Sequence, residues 1–129
     1  MVIDERLMDA ATAVSGSGPA YLCYVAESRS LNPLELPEQV KRAFVEEMRR
    51  GAVTLGFNER QAELLVSHTV NGTISFLKKT GLSAAQLRVQ VTSKSGTTEA
   101  ALEVMTKGGT LEEGMRAAAL RAHELSKGV

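Results

Sequence analysis

The chain has 129 residues, of which 43% are hydrophobic and 23% are charged, so it has the size and composition of one globular domain. Fifteen basic residues balance fifteen acidic ones, which argues against the basic surface that nucleic acid or an anionic membrane would attract. The single cysteine, Cys23, excludes an internal disulfide, and no apolar run is long enough to span a bilayer. Because no signal segment opens the chain, we expect a cytoplasmic protein.

The composition favours helix over strand throughout. Only 4% of the residues are aromatic, tryptophan is absent, and the chain is rich in Ala, Leu, Glu, Lys and Arg. No alternating strand pattern or hairpin signal interrupts the helical spacing of the apolar residues. The sequence therefore predicts one all-α domain over residues 1–129.

The first two predicted helices meet at a glycine-rich segment. Residues 4–14 have helical apolar spacing with Asp4 as N-cap, and the pattern stops at residues 15–19. Ser17 is the expected N-cap of the next helix, and Pro19 fits its first turn. No strand precedes this segment, so it is not a dinucleotide fingerprint. From the residues alone we interpret it as a corner between two helices.

The sequence pattern in the middle of the chain predicts two longer helices. Two prolines make residues 28–37 irregular, and a helix then runs from near Pro37 to Gly56. Asn58 and Gln61 form a capping-box pattern that opens a helix ending at Gly81. Gly72 interrupts the apolar stripe of this helix, and we expect close packing against another helix to compensate for that glycine.

The sequence pattern in the last part of the chain predicts three helical segments. Ser83 caps a short turn of helix through Leu87, a second helix covers residues 99–105, and Thr110 with Glu113 opens a final helix to residue 126. The side chains offer little acid–base chemistry. We expect His68 to be a partly buried packing residue, His123 to be exposed and Cys23 to be an inert thiol, and no residues have metal-ligand spacing.

Residues 91–98 are the most unusual stretch. They place five hydroxyl side chains around one glycine just before a helix: Thr92, Ser93, Ser95, Thr97 and Thr98. A helix start presents unpaired N–H groups and a partial positive charge, so this segment can be a helix cap or an anion-binding turn. The residues alone leave both interpretations open.

Two motifs resemble those of the pyrroline-5-carboxylate reductases. The stretch from Ala13 to Tyr21 matches that family's A-x-S-G-S-G-P-A-Y segment, and the stretch from Val91 to Thr98 is similar to its V-T-S-P-G-G-T-T loop. Shorter matches follow in the same order at residues 53–56, 59–62, 85–88 and 108–109. The resemblance therefore covers nearly the whole chain.

The resemblance implies a fold, an activity and partners. Enzymes of this family have an N-terminal Rossmann domain for NADPH or NADH, followed by an all-α domain of the 6-phosphogluconate dehydrogenase C-terminal-like type that forms an intertwined homodimer. Only the second domain resembles this chain, so we expect no cofactor bound to the chain alone. The family reduces 1-pyrroline-5-carboxylate, a small imino acid, to proline. A higher oligomer is compatible with this resemblance.

The resemblance also implies site residues. The substrate carboxylate would lie on Ser93 and on the backbone amides of Gly96 and Thr97, and the Thr98 hydroxyl would face the ring nitrogen as the catalytic side chain. Ser17, Gly18 and Pro19 would lie near the nicotinamide. No metal is implied.

Three departures from the family pattern keep other functions open. Lys94 and Ser95 replace a proline and a glycine of the loop, and an insertion falls somewhere within residues 28–45, since residues 25–27 and 44–46, nineteen positions apart, can match the same family positions. Alternatives are a non-catalytic dimerising paralogue and a reductase domain for a related cyclic imine.

Overall fold

The protein is built from helices. A computed structural model describes residues 5–94 and 96–127, and this part of the chain contains no strand, which confirms the all-α prediction. Seven α-helices, one π-helix and one 3-10 helix follow in order: α1 (Glu5–Ala11), the π-helix (Thr12–Gly16), α2 (Gly18–Ser28), the 3-10 helix (Pro33–Glu35), α3 (Glu38–Thr54), α4 (Glu59–Thr80), α5 (Ala84–Lys94), α6 (Gly96–Thr106) and α7 (Leu111–Ser126). None of the helices described is long and apolar enough to cross a membrane.

The glycine-rich segment overlaps the end of a π-helix, Thr12–Gly16, that joins α1 to α2. The amide of Ser17 donates to the carbonyl of Thr12 at 3.1 Å, so the chain passes from α1 into α2 without leaving helical geometry. Ser17 stands at the predicted N-cap position of α2, but its backbone angles are helical and its side chain makes no capping hydrogen bond. The predicted cap Asp4 lies outside the described residues.

The predicted local caps of α4 and α7 are confirmed. Asn58 and Gln61 form a reciprocal capping box at the start of α4, and Thr110 and Glu113 form another at the start of α7. Gly81 ends α4 with a φ of +72°, in the left-handed region that glycine adopts without strain.

The fifth helix is longer than its sequence pattern predicted. It continues past Leu87 to Lys94, and α6 starts at Gly96 instead of near residue 99. Leu87 and Val91 lie one helical turn apart and pack against a small core, which explains the extension. The segment predicted as a turn is therefore largely helical in the part that the structure describes.

Two apolar cores of unequal size hold the helices. The main core joins α1, α2, α3, α4, α6 and α7, with Tyr21, Met48 and Met115 among its fully buried side chains. The second core consists of Cys23, Leu77 and Leu87, with a few partly buried neighbours. Helix α5 depends on this second core.

Candidate functional site

The two motifs meet at a buried group of hydroxyls, which we call the hydroxyl cluster: Ser17, Tyr21, Thr97 and Thr98. Thr98 Oγ1 donates to Ser17 Oγ at 2.7 Å, and Thr97 Oγ1 lies 3.3 Å from the same oxygen. Ser17, Thr97 and Thr98 are each at most 2% exposed. One side chain from the π-helix junction thus holds two side chains of the first turn of α6, about eighty positions away.

Tyr21 extends the hydroxyl cluster towards the backbone. Its phenol donates to the carbonyl oxygen of Ala13 at 2.8 Å, and its ring is fully buried. Burial raises the pKa of Tyr21, and a hydrogen bond with the Ser17 side chain opposes that rise. The phenol therefore stays protonated and remains a hydrogen-bond donor at neutral pH.

The start of α6 is flanked by a cation. A Cβ at Gly96 would lie 3.3 Å from Nε of Arg121, so the guanidinium passes directly beside the first residue of the helix. The positive end of the helix dipole lies at the same place. Arg121 is partly exposed, and Glu124 is 3.9 Å from it. Arg121 and the helix dipole thus bring positive charge to the start of α6, with the carboxylates of Glu124 and of Glu99, in the first turn, nearby.

The predicted carboxylate residues fall at the junction of α5 and α6. Gly96, Thr97 and Thr98 form the first turn of α6, and Ser93 lies in the last turn of α5. The side chains of Ser93 and Lys94, and the whole of Ser95, lie outside the described part. Their proposed roles stay predictions.

The residues predicted near the nicotinamide differ in access. Ser17 and Gly18 are buried, and a Cβ at Gly18 would lie 2.5 Å from Cγ2 of Thr69, so these two positions are already filled by protein atoms. Pro19 is partly exposed and lines an open groove. Of the three positions, Pro19 alone has surface available for a cofactor, and the cofactor role stays a prediction.

An open apolar groove of about 430 Å³ runs beside α4. Its lining comes from the π-helix, α2, α4 and α5: Ser15, Pro19, Leu65, His68, Thr69, Gly72, Thr73, Phe76, Leu87 and Val91. A Cβ at Gly72 would meet no atom within 4 Å, so the expected helix packing at this glycine is absent within the described chain. Phe76 is 44% exposed at the edge of the groove. We call this surface the α4 groove.

Both histidines differ from their predicted environments. His68 was expected to be partly buried, but it is exposed at the α4 groove, because its position turns away from the buried stripe of α4. His123 was expected to be solvent-exposed, but its ring is only partly exposed and its Nδ1 lies 3.2 Å from Asp9 Oδ2. No group of three His, Cys, Asp or Glu side chains within the described ranges is placed to hold a metal ion.

Sequence patterns missed two contacts near the site. Arg121 lies beside Gly96, and helical spacing cannot reveal this contact between α6 and α7. Arg88 donates to both carboxylate oxygens of Glu27, at 2.6 and 3.2 Å, and so joins α5 to α2. Spacing within one helix carries no signal for either contact.

The chain is similar to one protein family and to several of its members. Residues 5–32 and 42–126 match a family model described as pyrroline-5-carboxylate reductase dimerisation. A pyrroline-5-carboxylate reductase of Synechocystis is 36% identical over 128 residues, covering 97% of this chain and 41% of that protein. The pyrroline-5-carboxylate reductase of Arabidopsis thaliana is 35% identical, over 96% of this chain and 39% of that protein. Pyrroline-5-carboxylate reductase 3 of Bos taurus is 32% identical, over 97% of this chain and 35% of that protein. The chain thus spans about two fifths of these relatives. No solved structure matches the chain.

Proposed function

Because this chain belongs to the pyrroline-5-carboxylate reductase dimerisation family, we propose that it is the dimerising and substrate-binding part of an NAD(P)H-dependent reductase. The proposed reaction is the reduction of 1-pyrroline-5-carboxylate to proline, because the matched relatives are pyrroline-5-carboxylate reductases. One observation carries this proposal: the two motifs that resemble the family meet in the hydroxyl cluster through Ser17 and Thr98. Such a reductase would work in the cytoplasm.

The proposed substrate site is the start of α6. The substrate carboxylate would accept hydrogen bonds from the amides of Gly96 and Thr97 and from Ser93, where helix dipole and hydrogen-bond donors favour an anion. Arg121, beside Gly96, adds a positive charge to the same place. Charge-assisted hydrogen bonds of this kind contribute roughly 1.5–3 kcal/mol each.

Thr98 is the proposed partner of the substrate ring nitrogen. Its hydroxyl donates to Ser17 Oγ and is 1% exposed. Its oxygen can accept a hydrogen bond from the ring nitrogen of a ligand while its hydrogen stays donated to Ser17. The proposed catalytic role is therefore compatible with the hydroxyl cluster.

In the proposed reduction the hydride comes from a nicotinamide cofactor, NADPH or NADH, which supplies it when bound. The described part of this chain has no strand–glycine-loop–helix unit, so its residues do not fit the dinucleotide itself. In this proposal a separate Rossmann domain holds the cofactor, and Pro19 lies near the nicotinamide at the surface.

The test of the activity is a domain exchange. Residues 1–129 replace the matching part of the Synechocystis reductase, and the chimera is assayed with 1-pyrroline-5-carboxylate and NADPH or NADH. We expect proline formation, with a higher KM or lower kcat in Ser93→Ala and Thr98→Ala. A folded, dimeric chimera without activity would contradict the reductase function, and unchanged rates in both variants would contradict the two assigned roles.

We also propose that the chain forms a homodimer of intertwined helices and that the α4 groove receives the partner. The groove is apolar and open, and Gly72 lets a second helix approach its floor closely. The family description supports dimerisation. A higher oligomer built from such dimers is part of the same proposal.

Sedimentation velocity tests the dimer. Phe76→Asp places a charge at the edge of the α4 groove and should shift the chain towards monomer. Leu120→Asp is the matched control, because Leu120 is also exposed (62%) but lies on α7 outside the groove. A Phe76→Asp chain that dimerises as tightly as the wild type would exclude the groove as the interface.

Three departures from the family motivate two other candidates. Lys94 and Ser95 change the loop, and residues 33–41, which include the 3-10 helix, lie outside the family match. We place the proposed insertion, within residues 28–45, around this unmatched segment. A non-catalytic dimerising paralogue would give a dimeric but inactive chimera. A reductase for a related cyclic imine would give activity with that imine alone.

A further inference from the structure

Two hydrogen bonds of the hydroxyl cluster have a fixed direction. The Ala13 carbonyl can only accept, so Tyr21 donates its hydroxyl hydrogen to it. Ser17 accepts the hydrogen of Thr98 and lies 3.3 Å from the Thr97 hydroxyl, in a contact where either oxygen can donate. The first turn of α6 is therefore joined to Ser17 through both of its threonines.

This arrangement restrains the first turn of α6 from its buried side. Thr97 and Thr98 both contact Ser17, and all three side chains are at most 2% exposed, so water cannot compete for these bonds. Gly96 and Arg121, in contrast, are partly exposed. The buried side of the turn is thus anchored, while the other side is accessible to a ligand.

We propose that Ser17 is a positioning residue for the carboxylate site: by holding the side chains of Thr97 and Thr98, it fixes the direction of the backbone amides at the start of α6. The ligand class is a small carboxylate carrying a ring nitrogen, and this inference rests on the proposed function. Ser17 itself does not touch the ligand, because its hydroxyl is engaged within the cluster. It acts through the two threonines.

The hydrogen bonds of the hydroxyl cluster are expected to affect the affinity for the carboxylate as well as the geometry of the site. Two amides that point at one carboxylate bind it well only when their directions are already fixed, because ordering them on binding would reduce affinity. Loss of the Ser17 hydroxyl leaves Thr98 without its acceptor and lets the turn adopt other directions. We expect this loss to weaken carboxylate binding by about tenfold, the equivalent of one such hydrogen bond.

L-Proline titrated into the 129-residue chain tests the inference, with amide NMR shifts at Gly96 and Thr97 as the readout. Ser17→Ala and Thr98→Val should each raise the Kd for proline about tenfold, and the double variant should raise it by much less than a hundredfold, since both changes break the connection between Ser17 and Thr98. Ser28→Ala is the matched control on the same helix, because its hydroxyl donates only to the Val25 carbonyl near the far end of α2. It should retain the wild-type Kd.

The outcomes separate the two proposals. A wild-type chain that does not bind proline would overturn the proposed substrate site and this inference with it. Wild-type binding together with an unchanged Kd in Ser17→Ala would overturn the inference alone. Additive effects of Ser17→Ala and Thr98→Val would also overturn it, because independent effects exclude action through Thr98.

A second variant covers the case in which Ser17→Ala does not fold. Tyr21→Phe keeps Ser17 and the buried ring but removes one hydroxyl of the cluster, the donor to the Ala13 carbonyl. It should raise the Kd for proline several-fold while the melting temperature stays above the titration temperature. A wild-type Kd in this variant would contradict a positioning role for the cluster. A general structural role would lower the melting temperature without changing the Kd.

Discussion

Gly18 and Thr69 approach each other so closely that a Cβ at position 18 would lie 2.5 Å from Cγ2 of Thr69. Carbon atoms in well-packed interiors do not come this near to each other. The start of α2 therefore contacts α4 through a glycine, next to Ser17 of the hydroxyl cluster. The glycine of the family-like motif has a packing reason in this chain.

Gly18→Ala should destabilise the chain by about 1–3 kcal/mol, because the added methyl overpacks a rigid β-branched side chain. Thr69→Ser removes the clashing methyl and should recover part of that loss in the double variant. Urea unfolding measures both. Gly16→Ala is the control, since its Cβ would lie 3.5 Å from Thr12 Cγ2, an ordinary contact. Equal stability of the Gly18→Ala and wild-type chains would refute this packing argument.

Gly72→Ala should have opposite effects on folding and association. Position 72 is inside α4 with no atom within 4 Å of an added Cβ, so alanine should stabilise the monomer by about 0.5–1 kcal/mol through helix propensity. The same methyl would occupy the floor of the α4 groove and weaken self-association. Urea unfolding of the dilute chain and sedimentation velocity give the two quantities.

The comparison variant for Gly72 is Gly81→Ala. Its added Cβ would also meet no atom within 4 Å, but its φ of +72° strains alanine, so the change should lower stability by about 1 kcal/mol. Tighter self-association of the Gly72→Ala chain would argue against a partner in the α4 groove.

The ion pair between Glu27 and Arg88 should hold α5 against α2. Both side chains are about one-third exposed, at 30% and 32%, so we expect a coupling energy of about 1 kcal/mol, at the upper end for exposed pairs. A double-mutant cycle with Glu27→Gln and Arg88→Gln in urea measures it, and 1 M salt should reduce it. The exposed pair of Lys107 and Glu103 is the control, with about 0.3–0.5 kcal/mol. Equal coupling in the two pairs would contradict the prediction.

Cys23 should be unreactive in the folded chain. Burial, with a smaller contribution from Glu27, raises the pKa of the thiol to about 11 from a usual value of 9.0. The folded state therefore disfavours the thiolate, and a thiol reagent at pH 8 should label Cys23 only after unfolding. Rapid labelling under native conditions would show that the thiol is accessible.

The same shift predicts a pH dependence of stability. Because the folded pKa is raised, the contribution of Cys23 is fully present below pH 9 and is lost as the pH rises through about 11, since the unfolded chain releases its proton first. Cys23→Ala removes this group while leaving other titrations in place. The free energy of unfolding of the wild type should fall more steeply than that of the variant between pH 9 and 11.

The elements that could be predicted from the sequence depend on near neighbours in the chain. The Asn58–Gln61 and Thr110–Glu113 capping boxes and the glycine at position 81 were all identified correctly, because each acts within a few residues. Ser17 fitted the same local rule and occupies the N-cap position of α2, but its side chain does not cap that helix. Its true partners, Thr97 and Thr98, lie about eighty positions away, and no helical spacing indicates such a contact.

The candidate site was predicted by resemblance and not by pattern. Residues 91–98 alone allowed either a cap or an anion site, and the second motif was needed to choose between them. The meeting of the two motifs and the place of Arg121 beside Gly96 emerged only with the tertiary packing. The extended course of α5 was missed because residues 88–94 have no clear amphipathic pattern, and Val91 is anchored by a core that the chain assembles from distant helices.

The small core under α5 has a consequence for motion. A helix anchored by Leu87 in a core of three buried side chains, and by one ion pair, opens at a lower free energy than helices joined to the main core. Backbone amides of α5 should therefore exchange with deuterium sooner than those of α3, α4 and α7, in a partial opening that leaves the rest of the chain folded. Since α5 leads directly into Gly96, a local opening of this kind would reshape the proposed ligand site at a cost below that of global unfolding.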